Sequence, residues 1–129
     1  MDWREGDITM RLLSLLVSIL MLTAFATAQA ADKNGRFRAK GVGSQTCASY
    51  STFDKDDRLI VETWWAGFVT AMNIERDDTY DILHDVRPEM VNRWLDGYCK
   101  DNPDHLLAVA AYRMIESYHG NRLKASPNR

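Results

Sequence analysis

Apolar residues occur along this chain in two textures: one nearly unbroken run, Leu12 to Phe25, and then stretches in which they return every three or four positions. Steps of three and four place side chains on one side of an α-helix. Leu59, Ile60, Trp64, Phe68, Ala71 and Met72 therefore predict a long helix through Asn73 with one wide apolar face. Val91, Trp94, Leu95 and Tyr98 form the stripe of a second long helix that ends at Cys99. Leu106, Leu107, Ala110, Ala111, Met114 and Ile115 form a third. Nothing beyond residue 30 alternates as a strand, so the expected fold is all-α.

Local punctuation agrees with these elements. Ser44 is placed to cap a short helix holding Cys47, Ala48 and Tyr50, and the acidic run Asp54 to Asp57 suits the N-terminus of the helix that follows. Pro88 fits the first position of the second long helix, where its missing N–H costs nothing. Asn102-Pro103 repeats the device for the third, and Gly120 is a stop. Between the first two long helices, Glu75 to Asp85 (ERDDTYDILHD) reads as a solvated acidic connection with one apolar pair, Ile82-Leu83. The segment 31–43 (ADKNGRFRAKGVG) reads as a flexible arm and 121–129 as a frayed, disordered tail, which leaves 44–120 as the folded helical domain.

The apolar run near the start differs from the helices that follow. Met10-Arg11 is a short basic start, Leu12 to Phe25 an apolar core of 14 residues, and Ala28-Gln29-Ala30 a small-x-small pattern. In that order they predict a secretory signal peptide over residues 1–30, cleaved before Ala31. An uncleaved anchor is the alternative, but a span needs about 18–20 apolar residues, so no stable membrane anchor is expected after cleavage. Residues 1–9 (MDWREGDIT) are polar and acidic, unlike a signal n-region, which makes Met10 a candidate start.

Export gives the two cysteines a meaning. Cys47 and Cys99 are the only ones in the chain, and an even count in an oxidising compartment predicts one disulfide and a periplasmic or secreted protein. Removing residues 1–30 from the 129-residue chain leaves 99, a single small domain that buries proportionally little surface. A bond closing the 52-residue separation is worth roughly 4 kcal/mol in the chain-entropy account. The expectation is thus a small single-disulfide domain of about four helices. A metal-binding or catalytic thiol is the weaker alternative for the pair.

Charge and composition mainly exclude. Residues 31–129 carry 14 Lys and Arg against 15 Asp and Glu, mixed along the chain, so no basic stripe points to nucleic acid. With every carboxylate protonated, those cations and His84, His105 and His119 bring the charge to about +17, a strongly self-repelling state. Asp77, Asp78, Asp81 and Asp85 lack the alternating oxygens and central glycine of a calcium loop. His84 has no second histidine or thiol at ligand spacing, and the three histidines are scattered. Neither a catalytic constellation nor a phosphate-binding glycine loop occurs, so no enzyme activity, metal or cofactor is expected.

The run Gly67-Phe68-x-x-Ala71-Met72-Asn73, set between a lone upstream Cys47 and an acidic connection, Pro88 and Cys99-Lys100-Asp101, resembles the HdeA/HdeB family of periplasmic acid-stress chaperones. The resemblance runs from Thr46 to Asp101. It implies an exported, all-helical protein stapled by one disulfide, dimeric at neutral pH, which loosens in acid and holds unfolding clients. It further implies that Cys47 and Cys99 are the bonded pair, and that Gly67, Phe68, Ala71, Met72 and Asn73 lie on the central helix. Trp64, Trp65, Trp94 and the Pro103–Tyr118 helix are not part of that pattern, and the family's lysine-rich tail is only faint here.

Two readings of partner follow. Trp64 and Trp65 are adjacent, hence about 100° apart on a helix, so either one ring faces a dimer or client or both sit at the wide edges of a monomer core. With Phe68, Met72 and Trp94 they are the candidate contacts to unfolded or acid-labile periplasmic proteins or to a second copy in a homodimer. Gly67 and Ala71, four apart, are assigned with Asn73 to close helix packing. The alternative is an immunity protein or inhibitor that blocks one folded secreted enzyme at neutral pH, since the Tai-type immunity family has a broadly similar layout.

Overall fold

The computed structural model describes residues 31–127, so the expected signal peptide at 1–30 lies outside the described residues. Four helices follow in order: α1 (Cys47–Tyr50), α2 (Lys55–Glu75), α3 (Pro88–Asp101) and α4 (Leu107–Tyr118). Single 3-10 turns occupy Gly41–Ser44 and His119–Asn121, and the only extended pairing among the described residues is two isolated bridges, Thr46 with Leu106 and Asp81 with Leu123. The protein is a small all-α domain with one disulfide, Cys47–Cys99. Residues 31–37 form a separate unit, in which Asp32 Oδ1 accepts from the backbone N–H groups of Asn34 and Arg36.

Each helix starts for an identifiable reason. Thr46, not Ser44, caps α1 by accepting from Ser49 N–H. At α2, Asp54 accepts from both Asp56 and Asp57 N–H at 2.9 Å, and Pro88 opens α3. The expected start of the third long helix at Asn102-Pro103 shifts to Leu107. There Asn102 turns back, its Nδ2 donating to Tyr98 O, and so closes α3. The freed stretch then serves another helix: His105 O and Pro103 O accept from Cys47 and Ala48 N–H, each at 2.8 Å, while Gln45 O accepts from Leu107 N–H at 2.8 Å. Two helix N-termini thus satisfy their orphan donors by exchanging backbone groups. Beside this junction the disulfide joins α1 to α3 with their Cα atoms 4.8 Å apart.

The core gathers Tyr50 of α1, Val61 and Trp65 of α2, Val91 and Leu95 of α3 and Leu107, Ala110, Ala111, Met114 and Ile115 of α4 around the cystine. Ile82 and Leu83 join it from the acidic connection, which is therefore not simply solvated. Asn73 explains how. Its Oδ1 accepts from Ile82 N–H at 3.0 Å, and Asp81 Oδ1 accepts from Leu83 N–H at 3.2 Å, so the loop is drawn down onto α2.

Both termini of the domain are more ordered than their composition suggests. Composition alone makes 31–43 a flexible arm. Instead Gly41 takes a left-handed φ of 58°, and Gly43 is buried beneath Trp64, whose Nε1 donates to Lys40 O at 3.1 Å. A Cβ on Gly43 would lie 2.1 Å from Trp64 Cζ2, so the ring would have to move to admit it. At the other end, Leu123 trades backbone bonds with Tyr80 and Asp81, so Asn121 to Lys124 is not a frayed tail. A bulky ring and a loop with free backbone groups supply the order that the polar sequences lack.

Two stability measurements test this account. Gly43→Ala should cost about 1–3 kcal/mol in urea unfolding through overpacking against Trp64. Gly97→Ala, on an open helical position, should stabilise by up to about 1 kcal/mol. Equal effects at the two glycines would refute the packing of Trp64 on Gly43. Reducing Cys47–Cys99 should remove roughly 2–4 kcal/mol, read as a drop in the urea midpoint of the reduced protein.

Candidate functional site

A helix apolar on one side only would leave α2 amphipathic, but its residues are apolar on two sides. At about 100° per residue, Val61, Trp65, Phe68, Val69 and Met72 form one arc. Leu59, Ile60, Thr63, Ala66, Gly67, Thr70, Ala71 and Ile74 form another arc, opposite to it. The first arc meets the core. The second is exposed along its whole length, with Leu59 61%, Ile60 57% and Ile74 81% accessible, and it holds no charged residue from Leu59 to Ile74, Asp56 lying one turn before it.

The structure places the five expected contact residues away from that open face. Trp65 is only 5% exposed, in the core, with its indole N–H buried and unpartnered. Trp64 is half-buried on Gly43 and stacks on Phe68, ring centroids 5.3 Å apart. Met72 is half-buried against the core. Trp94 stacks on Tyr98 at 5.0 Å, and Tyr98 Oη is 2.8 Å from His105 Nδ1. The adjacent tryptophans are both accommodated, because the 3-10 turn at Gly41–Ser44 forms a second wall beside the core.

Gly67 and Ala71, assigned to close helix packing, lie on the exposed arc, and a Cβ on Gly67 would meet nothing within 4 Å. Leu59 and Ile60, expected on the core side, also face outward. The signal for this was present in the helix itself. Val61 and Val69 complete a core arc without Leu59, Ile60 and Ala71, and what remains is an uncharged second side.

Beside this face, α2, the connection after it and the start of α3 enclose an open groove of about 730 Å³. Trp65, Val69, Ile74, Tyr80, Leu83 and Val91 supply its apolar lining. Tyr80 is 52% exposed, so the groove continues the apolar surface around Ile74.

The charged groups act mainly as ties between elements. Arg58 Nη1 donates to Tyr50 Oη at 2.8 Å and to Asp96 Oδ1 at 2.9 Å, and its guanidinium sits 4.5 Å above the Tyr50 ring. One arginine thus connects α1, α2 and α3. Burial pushes the Tyr50 phenol up to about 12, against the opposing charge of Arg58. Among the described residues no group of three or more His, Cys, Asp or Glu is placed to hold a metal ion, and no helix is long and apolar enough to cross a membrane. What the arrangement offers is one exposed, uncharged helix side beside an open groove.

A sequence model of the HdeA/HdeB family matches residues 12–108, a wider stretch than the Thr46–Asp101 region of evident resemblance. No curated protein and no solved structure matches the chain.

The environment of Tyr50 has an alkaline consequence. A phenol whose folded value is raised stabilises fully below the unfolded value near 10 and loses that contribution as pH rises toward about 12. In a spectrophotometric titration one tyrosine of the five should ionise late, together with loss of helical signal. Ionisation of Tyr50 near pH 10 in the folded protein would contradict its burial beside Arg58.

Proposed function

Because the chain belongs to the HdeA/HdeB family, known for periplasmic acid-stress chaperones that bind unfolded proteins, we propose that it is an exported, non-enzymatic chaperone that suppresses aggregation of unfolded periplasmic proteins at low pH. The observation that carries this reading is the exposed, uncharged face of α2 from Leu59 to Ile74. Large apolar side chains left exposed on one side of a helix support a binding surface there, and the lack of charge between them makes it tolerant of many client sequences. Leu59, Ile60 and Ile74 are its anchors, with Gly67 and Ala71 letting a partner backbone approach. Trp64, Phe68, Met72 and Trp94 become client contacts only as acid loosens the elements that half-cover them.

The same face offers a way to stay inert at neutral pH. Read outward from its centre, it runs Ala66, Thr63, Leu59 in one direction and Gly67, Thr70, Ile74 in the other. A nearly palindromic face pairs with a second copy about a two-fold axis. We assign it as the homodimer surface at neutral pH. In acid the net charge turns strongly positive, which drives two copies apart and frees the face for clients. The disulfide limits how far the loosened chain expands.

Light scattering of an acid-labile client, mixed with the oxidised protein from pH 7 down to about 2, tests the activity. Suppression should appear only in acid. Leu59→Lys/Ile74→Lys keeps its charge at every pH and removes two anchors worth about 1.5–3 kcal/mol each. It should need at least about tenfold more protein for equal suppression. Unchanged suppression by this variant moves the client site elsewhere. Gly67→Leu should leave helicity intact and convert a dimer to monomer in sedimentation at pH 7, since only a partner occupies the space its side chain enters. No suppression at any pH, with tight binding of one folded enzyme at pH 7, would replace the chaperone reading by that of an inhibitor.

A further inference from the structure

The acidic connection Glu75–Asp85 and the C-terminal segment His119–Lys124 are bound to each other in a way the chaperone face does not require. Lys124 Nζ lies 3.0 Å and Arg122 Nη2 3.3 Å from the same oxygen, Asp78 Oδ2. Arg122 Nε also donates to Asp78 O at 3.0 Å, and its Nη1 donates to His119 O. Leu123 N–H donates to Asp81 O at 2.8 Å, while Leu123 O accepts from Tyr80 and Asp81 N–H. His84 Nε2 is 3.1 Å from Asn121 O, with its Nδ1 on Asp85. From α4, Glu116 pairs with Arg76 at the start of the connection.

We infer that residues 119–124 are an acid-released strap, which holds the 76–87 connection closed over Ile82 and Leu83 at neutral pH and lets it lift as the carboxylates beneath it are protonated. The argument is one of charge sign. Residues 75–85 carry five carboxylates against Arg76, a formal −4, and they face Arg122 and Lys124. Protonation leaves only Arg76 and His84, a formal +2, against the same two cations and His119. Attraction becomes repulsion across a contact whose remaining ties are three backbone bonds, the Arg122 Nε–Asp78 O bond and the His84–Asn121 contact. Those ties do not depend on a carboxylate, so acid changes the load on them rather than their number.

The direction is set by Asp78. Lys124 holds its carboxyl below the ordinary 3.8, with Arg122 adding to the effect. A carboxylate with a lowered folded value stabilises above the unfolded value, and that contribution is lost as pH falls through the folded one. The strap therefore holds through neutral and mildly acidic pH and fails in strong acid. Lifting it uncovers Ile82 and Leu83, 1% and 8% exposed when closed, and widens the groove that Tyr80 and Leu83 line. This rests on the acid-gated reading above and adds a second apolar surface to the α2 face.

Amide hydrogen exchange on the full oxidised chain reads the strap directly, as protection at Tyr80, Asp81 and Leu123 relative to an unfolded reference at each pH. Protection at these three amides should fall by about tenfold or more between pH 5 and 2, while core amides such as Leu95 keep theirs. Asp78 has a φ of 55°, which asparagine adopts readily, so Asp78→Asn removes the charge without backbone strain. It should lower bridge protection about fivefold at pH 7, as should Arg122→Gln/Lys124→Gln. Bridge amides that stay protected at pH 2, or an Asp78→Asn protein identical to wild type at pH 7, overturn the strap. A strap that opens in acid without suppressing client aggregation upholds this inference and refutes the chaperone reading. Suppression by a protein whose strap stays closed does the reverse.

Discussion

A four-residue helix cannot sustain itself in water, because nucleation fixes several residues for a single hydrogen bond. That α1 exists at all depends on the junction around Cys47. The cystine ties it to α3, and the backbone exchange with Pro103 and His105 satisfies the N–H groups at its start. The same exchange starts α4 through Gln45 O. Tyr50, carried inward by α1, then becomes the fully buried ring on which Arg58 of α2 and Asp96 of α3 converge. Remove the junction and α1, the start of α4 and the Tyr50 contact lose their support together.

Spending the limited interior of a small domain this way has a consequence for α2. The core is filled by Val61, Trp65 and the side chains of α3 and α4, and Trp64 and Phe68 occupy the margin beneath the Gly41–Ser44 turn. No element among the described residues covers the remaining side of the helix. Leu59, Ile60 and Ile74 are exposed because no further helix among the described residues lies over them.

Acid acts on such a molecule at its ties before its core. Four of the described ion pairs join different elements: Arg58 to Asp96, Arg76 to Glu116, and Arg122 and Lys124 to Asp78. Exposed pairs are individually weak, yet they share one dependence on ionised carboxylates. Falling pH weakens them in concert while the cystine and the apolar contacts persist. A domain held in this manner loosens at its connections and keeps a hydrophobic centre.

The existence of the helices, the all-α class and the cystine were legible in the sequence, because apolar periodicity, Pro88, the acidic cap at Asp54 and an even cysteine count are local signals. The HdeA/HdeB resemblance rested on equally local spacing around Gly67 and Asn73. Which side of α2 faces the core was not local. Leu59 and Ile60 are as apolar as Val61, and only the competition for space among Trp65, Leu95 and Met114 decided that they turn outward. The same holds for the polar segments: Gly43 is ordered by a tryptophan 21 positions away, and Leu123 by a loop more than 40 positions away. Sequence alone determined the long helices and the presence of one staple, since apolar periodicity, caps and the cysteine count are read along the chain. Tertiary structure decided the exposed face, the placement of both tryptophans and the order of the two ends, since these depend on which surfaces are left uncovered once the core is full.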